Sequence, residues 1–295
     1  MRLQTRNEYQ IGLERVVDWV LAHLDEPLDA RTLAELAGFS TYHFHRIFGG
    51  MMGESIGEFV RRIRLERAAW RLAKGAAVTE TAFEAGFESH EAFTRAFRTA
   101  FGVPPKVFRA SRQLVFHLPN PTGVHFDPSG SALVLRTLQG DQFMQAETKD
   151  ITGFHTIAIR HVGPYWQIGG AFGRLKAWAE ERGIATTMGL AIYHDNPEIT
   201  PLAELRSDAC LVVPTAIEVH DPEVRALEVP GGRYAVATHL GHYASLGETW
   251  GRFMGEWLPT SGLALGHGPC FELYVDDCNQ VPVEQVRTEL YQSIV

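Results

Sequence analysis

This 295-residue chain duplicates itself twice, with a different period in each half, and no other feature limits its folding more tightly. In the first third, Gly38-Phe39 recurs as Gly86-Phe87, and Phe44-His45-Arg46-Ile47-Phe48 recurs as Phe93-Thr94-Arg95-Ala96-Phe97. In the second half, Arg160-His161-Val162-Gly163-Pro164-Tyr165 recurs 78 residues later as Thr238-His239-Leu240-Gly241-His242-Tyr243. The same offset matches Phe172 and Leu175 to Trp250 and Phe253. Two unrelated duplications predict two domains, each assembled from a pair of like units, and the length accommodates both. With 45% hydrophobic residues the chain has enough apolar side chains for real cores, which excludes a disordered protein.

The first duplication reads as helix throughout. Ile11, Val16, Val20 and Leu24 mark one apolar face. Asp29 is placed to cap a second helix that carries Leu33, Leu36 and Ala37 inward and stops at Gly38, and Ser40 caps a third over 41–48. A longer helix runs from about Ile56 to Lys74; Ser89 then caps a helix through Phe101, and Pro104-Pro105 opens a last short one. Helix, tight turn and helix, twice over, make two helix-turn-helix units whose second helices can enter DNA major grooves. A connecting helix of about 19 residues spans about 28 Å at 1.5 Å per residue, which suits successive grooves about 34 Å apart. In the first unit Phe44, Ile47 and Phe48 point inward, leaving Tyr42, His43, His45 and Arg46 toward base edges or phosphates. In the second, Phe93, Phe97 and Phe101 are inward and His90, Glu91, Thr94, Arg95 and Arg98 outward.

Charge supports that division. Residues 1–112 hold 16 basic and 14 acidic residues, net +2, while residues 113–295 hold 11 and 21, net −10. Arg61, Arg62, Arg64, Arg67 and Arg71 cluster on the connecting helix. Arg61, Arg64 and Arg67 either touch phosphate or form a solvated face.

Residues 113–140, with Pro119, Pro121 and Pro128, read as a linker or an arm packed along the surface. Beyond them β-branched and aromatic runs alternate with two helical stretches, an α+β pattern built from a duplicated β-α-β-β unit. The expected architecture is therefore multidomain, with an N-terminal all-α domain of two helix-turn-helix units over 1–112 and an α+β domain over 141–295. In the strand Phe271-Glu272-Leu273-Tyr274-Val275, Glu272 and Tyr274 share one face and Phe271, Leu273 and Val275 the other. If the two units leave a cleft, Glu272 becomes an acid on an aromatic wall, favouring a cation through charge and cation–π attraction of ~0.5–2 kcal/mol per ring. Trp250 and Trp257, seven apart, fall on one helix face, where at least one is core. His161 and His239 occupy equivalent turn positions and read as turn-stabilising rather than catalytic.

The first half resembles the DNA-binding domain of the AraC/XylS family. The resemblance runs from Leu33-Ala34-Glu35-Leu36-Ala37-Gly38-Phe39-Ser40 through Phe44, Arg46 and Phe48, then Gly53, Ile56, Arg61, Arg64 and Ala68. It resumes at Ala85-Gly86-Phe87-x-Ser89, Phe93-x-Arg95-x-Phe97, Gly102-x-Pro104-Pro105 and Arg109. It implies base reading by Tyr42, His45 and Arg46 on one helix and His90, Glu91 and Arg95 on the other. The second half resembles the GyrI-like small-molecule-binding fold. The matching pieces are His161-x-Gly163-Pro164-Tyr165, Gly189-x-Ala191-x-Tyr193, Gly231-Gly232-Arg233-Tyr234-Ala235, Trp250, Glu256-Trp257-Leu258-Pro259 and Pro269-Cys270-Phe271-Glu272-Leu273-Tyr274. That resemblance implies Glu272 in a pocket for cationic or amphipathic ligands; Tyr165, Trp250 and Tyr291 are further candidates for its lining. Together they imply a DNA-binding, ligand-responsive transcription regulator. Two other readings stay open for the second half: a hydrolase of electrophilic small molecules using the pocket acid, and an acidic interaction module docking a protein such as RNA polymerase or gyrase.

Several classes are excluded. Cys210, Cys270 and Cys278 form no C-x-x-C pair, which argues for a reducing compartment and against structural zinc. His43 and His45 have no further ligand spaced to join them in a metal site. No Ser-His-Asp arrangement, phosphate loop or cofactor motif is evident. Arg2, Arg6, Glu8, Glu14 and Arg15 fit no signal peptide, and no apolar run approaches the ~20 residues of a membrane span. The expected partners are double-stranded DNA and a small effector, in the cytoplasm and away from membranes.

Overall fold

A computed structural model describes residues 2–111, 117–129, 144–195, 197, 200–276 and 280–295, with side chains from Glu8 onward. Cys278 and the rest of 113–140 lie outside the described residues. The chain divides into two compact units, Asn7–Gln139 and Gly140–Val295, the first six residues being grouped with the second.

The first unit is helical: α1 (Arg2–Ala22), α2 (Ala30–Ala37), α3 (Thr41–Met52), α4 (Ile56–Ala73), α5 (Val78–Glu84), α6 (His90–Phe101) and α7 (Pro105–Ser111). The expected caps form. Asp29 accepts the Thr32 N–H at 3.0 Å, Ser40 the His43 N–H at 3.3 Å and Ser89 the Ala92 N–H at 3.1 Å. Ser55 and Glu58 close a capping box at the start of α4. Two turn glycines are required. Gly38 ends α2 at φ 79°, and Gly86 sits at φ 79° where a Cβ would lie 2.8 Å from Arg64 Nη1. The helix expected over 41–48 instead runs to Met52, because Met51 and Met52 are buried and their packing outweighs the low helix propensity of Gly49-Gly50. The second helix-turn-helix packs on the distal part of α4 through Leu65, Ala69, Leu72, Ala82, Phe93 and Phe97.

Residues 117–129 form an arm along α4. Its anchor is Glu66, fully buried, which accepts the backbone N–H groups of Leu118 and Phe126, each at 2.8 Å, and pairs with His125 Nδ1 at 2.9 Å. Arg62 donates to the Val124 carbonyl at 2.8 Å and forks onto Glu54 at 2.6 and 3.0 Å.

The second unit is a closed antiparallel barrel of β1 (Ala146–Val162), β2 (Gly189–Tyr193), β3 (Arg206–Val213), β4 (Val224–Leu240), β5 (Phe271–Tyr274) and β6 (Arg287–Ser293), in the order β1-β3-β2-β5-β6-β4. Helix α8 (Gly169–Glu181) follows β1 and α9 (Leu246–Arg252) follows β4, so the duplicated β-α-β-β unit is present as expected. Both copies close the same way. Gly163 donates to the Leu205 carbonyl at 2.8 Å and Gly241 to that of Val286 at 2.9 Å, and the Asp195–Arg206 clasp recurs as Asp276–Arg287. The units pair through β2 with β5 and through β1 with β4. Alternation sends Leu190, Cys210, Val212, Tyr234, Phe271, Leu273 and Tyr291 into the barrel. On the outer face Ile157, Ala191 and Ala209 pack against Ala171, Leu175 and Ala179 of α8. Helix α9 passes into a π turn (Phe253–Trp257) and a short α10 (Leu258–Ser261). Among the described residues no helix is long and apolar enough to cross a membrane.

Candidate functional site

On the helical unit, α6 presents His90, Glu91, Arg95 and Arg98 to solvent, as its spacing predicts. On α3, Tyr42 and Arg46 are half-buried, with the guanidinium 4.7 Å from the Tyr42 ring centre. His45 does not face outward. It is 1% exposed, edge-on to Phe44. Once α3 extends to Met52, positions 45, 48 and 52 form one stripe, and His45 joins the buried side. The basic cluster on α4 is also mostly internal, and of its five arginines only Arg61 is exposed. Arg64 donates to the carbonyls of Leu24 and Glu26, Arg67 to Asp25 and the Glu84 carbonyl, and Arg71 pairs with Glu84. These residues hold loop ends rather than a phosphate-facing surface.

On the barrel, β5 sets Glu272 on the outer face, 4% exposed. Both carboxylate oxygens are engaged. Trp250 Nε1–H on α9 donates to Oε1 at 2.8 Å, and the hydroxyls of Tyr193 and Tyr274 donate to Oε2 at 3.0 and 3.3 Å. Tyr193 and Tyr274 lie 3.1 Å apart at their hydroxyls. Burial pushes both phenols well above their ordinary range, helped at each by the nearby Glu272 and at Tyr193 also by Tyr274, so they remain donors. Tyr165 stands edge-on to Tyr193 at 4.7 Å, and Tyr243 and Phe172 stand edge-on to Tyr274 at 5.4 and 5.6 Å. The result is a carboxylate enclosed by aromatic rings and neutral donors. Such surroundings favour a cation with an apolar, ring-bearing body over an anion.

Tyr165 and Trp250 are thus brought to Glu272, but Tyr291 is not. Tyr291 is the cross-strand partner of Phe271, stacks on it at 4.5 Å inside the barrel and donates to Glu289 at 2.6 Å. Directly opposed residues share a face, so the partner of Phe271 points away from Glu272. Tyr193, Tyr243 and Phe172 were missed as lining residues, whereas strand alternation already put Tyr274 on the face of Glu272. The internal repeat could have found Tyr243 from Tyr165 and Phe172 from Trp250 at the offset of 78, and Tyr193 from Tyr274 at the longer offset of 81 that the strands follow. Trp257 lies on the π turn against Phe253 and is half-buried, whereas Trp250 is buried, so Trp250 is the core residue of the two. His161 and His239 hold their turns, each ring bonding the carbonyl three residues on.

With this geometry the comparisons agree. The GyrI-like small molecule binding domain family matches residues 144–294, half of the chain. The chain belongs to the GyrI-like family. A helix-turn-helix domain matches residues 33–111. A protein named DNA gyrase inhibitor from Erwinia billingiae (strain Eb661) is 31% identical over 145 residues, 47% of this chain and 88% of that protein. The HTH-type transcriptional regulator YbfP of Bacillus subtilis (strain 168) is 33% identical over 102 residues, 34% of this chain and 35% of that one. An EcmrR–DNA complex superposes on 52% of this chain and 57% of its own at 18% identity and a TM-score of 0.46. An AraC-type helix-turn-helix region followed by a GyrI-like domain makes this chain a DNA-binding regulator with a small-molecule-binding domain.

Proposed function

We propose that the GyrI-like domain senses a cationic, aromatic or amphipathic molecule at Glu272 and that its occupancy governs DNA binding by α3 and α6. The observation carrying this reading is the burial of Glu272 inside a set of rings, with Trp250, Tyr193 and Tyr274 hydrogen-bonded to it. A carboxylate kept this dry is costly unless a ligand makes use of its charge. Tyr42, Arg46, His90, Glu91 and Arg95 are the proposed base-reading residues and Arg61 a phosphate contact; His45 is withdrawn from that set by its burial. RNA polymerase is a natural further partner for a regulator of this kind. Cys210 is a buried free thiol, which fits action in a reducing cytoplasm. The fused DNA-binding region favours regulation over a free-standing hydrolase.

Glu272→Gln keeps shape and removes charge. Calorimetry on the full chain should show cation affinity falling by about 2–4 kcal/mol, with a neutral probe of similar shape much less affected. Equal affinities for both probes, unaltered by the substitution, would sink the proposal. Turnover of an electrophilic substrate that the same substitution abolishes would favour the hydrolase instead.

A further inference from the structure

Because the domain is duplicated, the surroundings of Glu272 have a counterpart in the other unit. Its walls come in equivalent pairs, one residue from each unit: Tyr165 with Tyr243, Phe172 with Trp250, Tyr193 with Tyr274, and Ala191 with Glu272. Ala191 and Glu272 are also direct cross-strand partners, so the approximate twofold axis runs between them. Two pairs keep their residue type and two do not, and those two change together. The unit that supplies the carboxylate also supplies the one indole, and that indole N–H is spent on Glu272 Oε1 at 2.8 Å. On the other side Phe172 faces β2 and β5 with a ring that has no N–H. The helices differ in the same sense. Helix α8 is regular over 13 residues, whereas α9 lasts seven and runs straight into the π turn three residues beyond Trp250. Such turns are frequent where the placement of a helix is functional.

We propose that Trp250 is a latch, an internal occupant of the cation subsite that must leave Glu272 before a ligand can take its charge. The inference rests on the reading of Glu272 as the cation site. A neutral N–H relieves part of the cost of the buried carboxylate, yet it is the weaker partner. A cation brings a charge-assisted interaction that the indole cannot match. The tyrosine hydroxyls on Oε2 keep the carboxylate oriented in both states, so only Oε1 changes partner. Since Trp250 sits on α9, its release couples occupancy of the pocket to the position of that helix, which gives the domain a mechanical output. The latch also sets a threshold: apolar molecules without charge gain nothing by displacing it.

The test uses the full chain, with tetraphenylphosphonium as the cationic probe and triphenylphosphine oxide as the neutral one. Trp250→Phe reproduces the side chain of the other unit, keeping a ring while deleting the N–H. It should bind the cation about tenfold more tightly and the neutral probe no more tightly than wild type. In the wild-type chain the Trp250 indole N–H resonance should move upfield on saturation with the cation, as its hydrogen bond is lost. A resonance that does not move, or a folded Trp250→Phe chain that binds the cation no better, overturns the latch. Glu272→Gln separates the two ideas. If it abolishes the preference for the cation while Trp250→Phe changes nothing, the latch fails and the cation site stands; if the preference survives Glu272→Gln, the cation site itself fails.

Discussion

Arginine has no single fate on α4. Arg61 reaches solvent, Arg62 is clamped between Glu54 and Glu66, and Arg64 and Arg67 supply N–H groups to carbonyls at the ends of the α1–α2 loop and of α5. The guanidinium presents five donors in a fixed fork and is weakly hydrated, which suits it to satisfying buried carbonyls. Substitutions should therefore sort by mechanism. Arg61→Ala should weaken binding to every duplex alike and lower the slope of log K against log salt by about one. Arg95→Ala should cost about 1–3 kcal/mol on a preferred site and relax one base position. Equal losses on preferred and random DNA for both variants would contradict that division. Glu66 has the larger structural role. Glu66→Ala leaves the N–H groups of Leu118 and Phe126 without their acceptor and removes one of the two carboxylates that Arg62 meets. It should destabilise the helical unit by about 3–5 kcal/mol, and hydrogen exchange at the Leu118 and Phe126 amides should accelerate with it; protected amides in a stable variant would refute the anchoring role.

Among the elements, the most regular device is the aspartate–arginine clasp that closes each β-α-β-β unit. Asp276 takes the Arg287 backbone N–H at 3.0 Å and its side chain at 2.8 Å on each oxygen. That guanidinium holds the Asp276 carboxyl down at about 2, and Arg206 likewise lowers Asp195. A folded-state value below the unfolded value of about 3.9 contributes stability that is present above pH ~4 and lost as pH falls through about 2. Arg287→Gln should raise the Asp276 carboxyl toward its unfolded value, and acid unfolding of the barrel should begin at higher pH. Carbon-detected titration of Asp276 reads this directly, and an unchanged midpoint would exclude the clasp as its cause. The contrast between regular α8 and the π-interrupted α9 is the element-level counterpart of the Phe172–Trp250 difference.

For the whole molecule, much was legible in the chain itself. Capping residues, turn glycines and the 3.6-residue period locate two helix-turn-helix units because these are local interactions, complete within a few residues of sequence. The 78-residue repeat gives the duplicated β-α-β-β unit, and strand alternation puts Glu272 and Tyr274 on one face. What the sequence could not decide depended on partners far away in the chain. His45 is buried because α3 continues past Gly49-Gly50, which only the packing of Met51 and Met52 sustains. Four arginines turn inward because the carbonyls and carboxylates they meet are contributed by other segments, from Leu24 to Val124. Tyr291 leaves the pocket because of the β5–β6 register, a pairing distance that no single strand encodes. And the bond from Trp250 to Glu272 exists only when α9, after β4, is laid over β5, 22 residues further along the chain. Local propensity and repetition determined which elements form; cross-strand register and the docking of helices on the barrel decided which side chains share a site.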